Sequence, residues 1–211
     1  MTFEAAAMYV CANSYRRTAR ERLPAGVLDV AGEEPARRGG VLIAEFNQPA
    51  PAGLLRDLLA AAAAGAVWVE AGGHGVRRRL VHYRVLTTAA QRSRMLAGLR
   101  EAWRAGVGLV NDERPAGGQE LIVERATQLW RGLLAAGAPV RSARGLCLPL
   151  PAGPLAEVAV NGARHLGISA RVRHTTQFSV VTVDNQVQVL WLTRLMPYRQ
   201  GRATADGKGT P

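Results

Sequence analysis

Lysine is almost missing from this chain of 211 residues: of its 27 basic residues, all but Lys208 are arginine. Cysteine is nearly as scarce. Cys11 and Cys147 make neither a disulfide framework nor a zinc-ligand set, which points to a reducing compartment and a cytoplasmic protein. Aromatic residues supply only 5% of the chain. No long apolar run is present; the most alanine-rich stretch, 60–64, is short and follows Arg56 and Asp57, so no membrane span is expected. The amino terminus carries Glu4 and no basic segment, so no secretory signal is read there.

What is present is 48% hydrophobic residues, 36 alanines and a formal charge of +11. A chain of this size can bury one core, or one core plus an arm. Arginine and alanine both have GC-rich codons, so part of their excess reflects base composition. The remaining charge still directs the reading towards a polyanionic partner.

Apolar periodicity sets the elements. Met8, Ala12, Tyr15, Ala19 and Leu23 recur at helical spacing over 5–23, with Arg16, Arg17 and Arg20 off that stripe. Residues 24–40 read as a loop with a short strand at 27–30, and 41–46 (VLIAEF) as a strand before a Pro-rich linker. A helix is expected from 54 to about 65, then strands at 66–71 and 80–86 around the GGHG turn at 72–75. Thr87 or Thr88 can cap a long helix that Gly106 would end. Short strands are expected at 107–110 and 119–124. The order then restarts: helix 126–137, strands near 138–142 and 145–149, helix 153–166, strands 168–174 and 177–184, and a helix near 186–196. Residues 199–211 read as a disordered tail.

The two cycles share residues as well as order. Seven of ten positions agree between 54–63 and 129–138, among them Leu54/Leu129, Arg56/Arg131, Leu58/Leu133 and Leu59/Leu134. This predicts an α+β fold: a helix–hairpin–helix–hairpin unit repeated with pseudo-two-fold symmetry, giving two curved antiparallel sheets covered by helices on one side. Residues 1–53 would form a helical arm and linker, and 54–198 the duplicated domain, with repeats at about 54–124 and 126–198. The helices at 54–65 and 126–137 would pack side by side.

Alternation along 168–175 places Ile168, Ala170 and Val172 on one face and Arg171 and Arg173 on the other. Such a face suits phosphate contacts. The candidate nucleic-acid contacts are Arg77, Arg79, Arg84, Arg141, Arg144, Arg171 and Arg173, with Arg16, Arg17 and Arg20 on the arm. His74, His82, His165 and His174 lack metal-ligand spacing, so no metal or other cofactor is expected. The GKGT at 207–210 lacks the strand and spaced glycine of a phosphate loop. Trp68, Trp103, Trp130 and Trp191 read as core residues.

LWRGLLAAG at 129–137 resembles the LAGLIDADG helix of homing-endonuclease folds, one residue short. The run from 144 to 183 resembles the rest of that repeat. It is closest to the WhiA family, whose WRGAFLA-type helix and ARRLGI-type helix end correspond to Trp130-Arg131-Gly132 and Ala163-Arg164-His165-Leu166-Gly167-Ile168. The resemblance is good over 126–196, fainter over 54–124 and absent from 1–53, and the helix-turn-helix segment of that family is missing. It implies a cytoplasmic regulator linked to transcription, cell division and sporulation. A nuclease of this fold holds divalent metal with a carboxylate at the end of each motif helix. The resemblance puts Ala61 and Ala136 at those places, so no strand cleavage is expected. The resulting expectation is a non-catalytic DNA-binding or transcription-associated regulator; the alternative is a protein-interaction module on a LAGLIDADG scaffold that docks a regulator or another copy of itself, and an active homing-type endonuclease ranks last.

Overall fold

Helix α1 (Phe3–Arg22) buries Phe3, Ala5, Ala6, Ala7, Met8, Cys11 and Ala12. These small residues let other helices come close, and the fold is arranged around them. The computed structural model describes residues 1–22, 39–63, 65–73, 81–112, 118–176 and 178–195, with side chains from 15 to 22 left out. The strand expected at 27–30, the His74–Gly75 part of the turn and the tail from 199 lie outside the described residues.

After α1 come β1 (Val41–Phe46), α2 (Pro49–Ala62), β2 (Val67–Gly73), β3 (Val81–Thr87) and α3 (Ala89–Asn111). Then follow α4 (Gly118–Ala136), β4 (Val140–Ser142), β5 (Gly145–Pro151), α5 (Leu155–His165), β6 (Arg171–His174), β7 (Phe178–Val183) and α6 (Gln186–Arg194). The strands form two antiparallel sheets, ordered β1-β3-β2 and β4-β5-β7-β6. The α+β class and the two helix-covered antiparallel sheets are as the sequence predicts.

The arm is not. The main partner of α4 is α1, and β1 is hydrogen-bonded to β3 within the first sheet, so both elements of residues 1–53 belong to the core domain. The helix at 49–62 packs on β1, β2 and β3 and is not the main partner of α4. The reason is steric. A Cβ on Gly132 would lie 2.6 Å from the Glu4 carbonyl oxygen and 2.9 Å from the Ala7 Cβ, so backbone meets backbone where α4 crosses α1. The ten-residue match between 54–63 and 129–138 therefore pairs two alanine-rich helices in different places.

Two expected strands are helical. The segment 107–110 continues α3, because Gly106 is a contact residue instead of a stop: its missing side chain leaves room for the Phe3 ring, 2.3 Å from where a Cβ would sit. Phe3 also packs against Trp103, with ring centroids 5.5 Å apart. The segment 119–124 opens α4, whose Ile122, Ala126, Leu129 and Leu133 recur at helical spacing on the buried face. Thr88 occupies the N-cap of α3 without a side-chain hydrogen bond, while the Thr87 hydroxyl bonds the Ala66 carbonyl at 3.0 Å.

The join at 163–168 is explicit in the backbone. Gly167 has φ +69°, its N–H donates to the Arg164 carbonyl at 3.0 Å, and the Ile168 N–H donates to the Ala163 carbonyl at 2.8 Å. This is a Schellman closure with buried Ile168 as its apolar contact. No atom lies within 4 Å of a Cβ added at Gly167, so Gly167→Ala should cost only the left-handed backbone penalty, about 1 kcal/mol. Urea unfolding of that variant is the check. A variant as stable as the parent would remove the assigned role.

Candidate nucleic-acid interface

Register fixes which side chains share the helix-free face of the four-stranded sheet. Leu146, Leu148, Leu150, Val181 and Val183 are buried against the helices. On the opposite face one row runs Val140, Cys147, Thr182 and Arg171, and the next runs Pro149, Val180 and Arg173. Arg171 and Arg173 are exposed, as the strand alternation predicts, with Phe178 exposed on the same face. None of the four strands contains an acidic residue.

The remaining candidates do not all join them. Arg141 is exposed but pairs with Leu146, so its position belongs to the helix-side face at the sheet edge. Arg144 is exposed in the β4–β5 turn. Arg77 and Arg79 lie outside the described residues, as do the side chains of Arg16, Arg17 and Arg20.

Arg84 sits in a different electrostatic setting. On the helix-free face of the three-stranded sheet it stands between Glu45 of β1 and Glu70 of β2. Its Nε is 3.7 Å from Glu45 Oε2, and His82 Nδ1 is 3.2 Å from Glu45 Oε1. Glu70 accepts a 3.0 Å hydrogen bond from the Trp68 indole. The two sheets thus differ in sign: the first carries two carboxylates around one arginine, the second only cations. Strand pairing creates this difference, and no single segment of sequence displays it.

The tryptophans divide. Trp130 is fully buried and its Nε1 donates to the Ala159 carbonyl at 3.1 Å, while Trp103 is half-buried against the core. Trp68 is half-buried on the open sheet face, and Trp191 is exposed. Those two are not the core residues the sequence suggests.

Sequence reasoning missed one polar constellation. His174 Nδ1 is 2.9 Å from Ser179 Oγ, and its Nε2 is 3.4 Å from Glu157 Oε1. The order matches a nucleophile, base and acid, but Ser179 is 1% exposed and its hydroxyl faces the core side, out of reach of a substrate. The set ties edge strand β6 to α5. His165 bonds the Val110 carbonyl at 2.9 Å, and among the described residues no group of three or more His, Cys, Asp or Glu side chains is placed to hold a metal ion.

Small residues bring two helices together at the α1–α4 crossing. Ala7 meets Gly132 there, and four residues further along each helix stand Cys11 and Ala136. Ala61, which the resemblance pairs with Ala136, is exposed on α2. Burial pushes the Cys11 thiol up to about 12, leaving it neutral. Neither Ala61 nor Ala136 offers the oxygen ligand that Mg²⁺ takes.

These elements and sheets define a LAGLIDADG fold. The N-terminal LAGLIDADG domain of DUF199/WhiA superposes with a TM-score of 0.50 at 9% identity, covering 96% of this chain and 86% of that one. Full-length DUF199/WhiA from Thermatoga maritima gives 0.50 at 11% identity over 95% of this chain and 63% of the longer protein. I-DmoI, solved in complex with DNA and Mn, gives 0.47 at 10% identity, covering 76% of this chain and 82% of that one. No family model matches the sequence, and no curated protein matches it. No helix among the described residues is long and apolar enough to cross a membrane.

Proposed function

We propose that this chain is a non-catalytic, cytoplasmic DNA-binding regulator that meets the phosphate backbone with the helix-free face of its four-stranded sheet. The observation that carries this reading is the acid-free sheet with Arg171 and Arg173 exposed side by side on its open face. The +11 charge supports it, and Arg144 at the adjoining turn extends the cationic rim. Ala61 and Ala136, where the resemblance puts the paired carboxylates of a nuclease, support binding without cleavage. A link to transcription, cell division and sporulation, as the WhiA resemblance implies, belongs to the same reading. So does an internal duplication, with halves at 3–111 and 118–194 meeting at the Ala7–Gly132 crossing.

A second reading is favoured by the other sheet. Trp68, Glu70, Glu45 and Arg84 make a mixed-charge face that suits a protein surface better than phosphates. On this reading the chain docks a regulatory protein through the three-stranded sheet.

The test is anisotropy with nonspecific duplex DNA at several salt concentrations. Arg171→Ala with Arg173→Ala should weaken binding similarly across sequences, since phosphate contacts position the protein without reading bases. Each lost contact should lower the salt slope by roughly one. Stability should change by no more than about 0.5 kcal/mol per site, and the DNA should be recovered intact after incubation with Mg²⁺. A folded double variant that binds like the parent at low and moderate salt would take this sheet out of the DNA reading and leave the protein-docking one.

A further inference from the structure

The outward face of α6 is apolar and is covered by no described residue. Val189 and Leu192 enter the core, whereas Val187, Leu190 and Trp191 are 76%, 52% and 40% exposed. With Arg194 they follow the i, i+3, i+4, i+7 spacing of a single helix stripe, opposite the buried one. The helix itself is firmly placed. The Asn185 side chain caps it, accepting from the N–H groups of Val187 at 2.9 Å and Gln188 at 3.2 Å. Gln186 donates to the Ala143 carbonyl on one flank, and Gln188 donates to the Gly167 carbonyl on the other. The remaining large exposed apolar residues, Val81, Val123, Val140 and Phe178, fall singly on four other elements. Among the described residues, α6 alone gathers three.

We propose that this stripe docks on the same stripe of a second copy of the chain, the two α6 helices antiparallel about a two-fold axis at the level of Val189. The charge pattern selects this occupant. Under that axis, helix positions equally far from 189 face each other, so Val187 meets Trp191, and the Asp184 end of one helix meets the Arg194 end of the other. Asp184 and Arg194 are both exposed, and neither has an ion pair with a described residue. Asp184 precedes the N-cap and Arg194 closes the last turn, so the two charges stand at opposite ends of α6 and each end of an antiparallel pair brings opposite charges together. A parallel pairing would set Asp184 against Asp184. The symmetric arrangement is isologous, with each patch serving as its own complement. Three apolar side chains per copy fall short of a standard interface of about 1,200–2,000 Å², so the dimer is weak and concentration-dependent.

Sedimentation velocity of the full chain over a hundredfold concentration range tests the proposal, which does not depend on DNA binding. The parent should move from monomer towards dimer as concentration rises, and Leu190→Glu with Trp191→Glu should stay monomeric with an unchanged circular dichroism spectrum. Asp184→Arg or Arg194→Asp alone should weaken association about tenfold, through two unlike pairs turned into like ones. The double variant Asp184→Arg, Arg194→Asp should restore it. A parent that is monomeric throughout, as it would be if another protein were the occupant, overturns the proposal. So does a dimer in which the single charge reversals have no effect, or one that the double reversal does not rescue.

Discussion

Gly132→Val is expected to destabilise the protein by about 3 kcal/mol or more, at the top of the range for overpacking a core. The Cβ would lie 2.6 Å from the Glu4 carbonyl oxygen and 2.9 Å from the Ala7 Cβ, and the two valine methyls would reach further. Backbone cannot rotate away as a flexible side chain can. Nor can α1 slide, because Phe3 fills the space left by Gly106 and a shift would drive its ring into α3. Relief requires the helices to separate, which opens a void along the alanine face of α1. Gly108→Ala is the matched control: nothing lies within 4 Å of its added Cβ, and a helix-interior alanine should be neutral or stabilising by about 0.5–1 kcal/mol. Urea unfolding of both variants distinguishes a specific crossing point from general glycine effects. A Gly132→Val protein within 1 kcal/mol of the parent would show that the crossing tolerates separation.

That crossing also explains which parts of the fold could be read from sequence. Residues 138–194 are legible because α5, β6 and β7 set apolar against polar positions and turn residues such as Gly167 bound them. Strand period alone puts Arg171 and Arg173 opposite Val172. The α1–α4 interface has no such contrast. Alanine recurs on α1, α2 and α4 alike, so 54–63 matches 129–138 in residue type although the geometry pairs α4 with α1. What separates the two cases is where backbone meets backbone, and that depends on a distant segment. Gly106 shows the same ambiguity: a glycine late in a helix can end it or admit a neighbour, and Phe3, far away in sequence, decides. Charge on the sheets needs register. Glu45, Glu70 and Arg84 become one cluster only when β1 and β2 pair on either side of β3.

Arg131→Ala should cost about 2–3 kcal/mol at neutral pH, and most of that loss should disappear in acid. Glu4 is buried in the first turn of α1, and the Arg131 Nε stands 3.4 Å from its Oε1. Neither atom has a hydrogen-bond partner among the described residues. Burial pushes the Glu4 carboxyl above its ordinary value, and the Arg131 guanidinium pulls it partly back. Removing one member of a buried pair typically costs about 3–5 kcal/mol, because the other charge is left desolvated and alone. The figure is reduced here because the Arg131 side chain is 38% exposed, so water already screens part of the attraction. The pH dependence follows from linkage. A carboxyl raised in the folded state binds more protons there than in the unfolded chain, so stability falls as pH rises from the unfolded value through the folded one. Taking Arg131 away raises the folded value further, which widens that window and deepens the loss at neutral pH. Below the ordinary glutamate range the carboxyl is neutral in both states, and the Coulomb part of the variant's deficit vanishes. Glu4→Gln in the Arg131→Ala background should recover much of the stability at neutral pH and flatten its pH dependence, since it leaves an amide where a bare charge stood. Thermal unfolding of the single and double variants from acid to neutral pH measures this. A deficit that is the same at every pH, or one that Glu4→Gln does not relieve, would assign the role of Arg131 to the packing of its aliphatic stem.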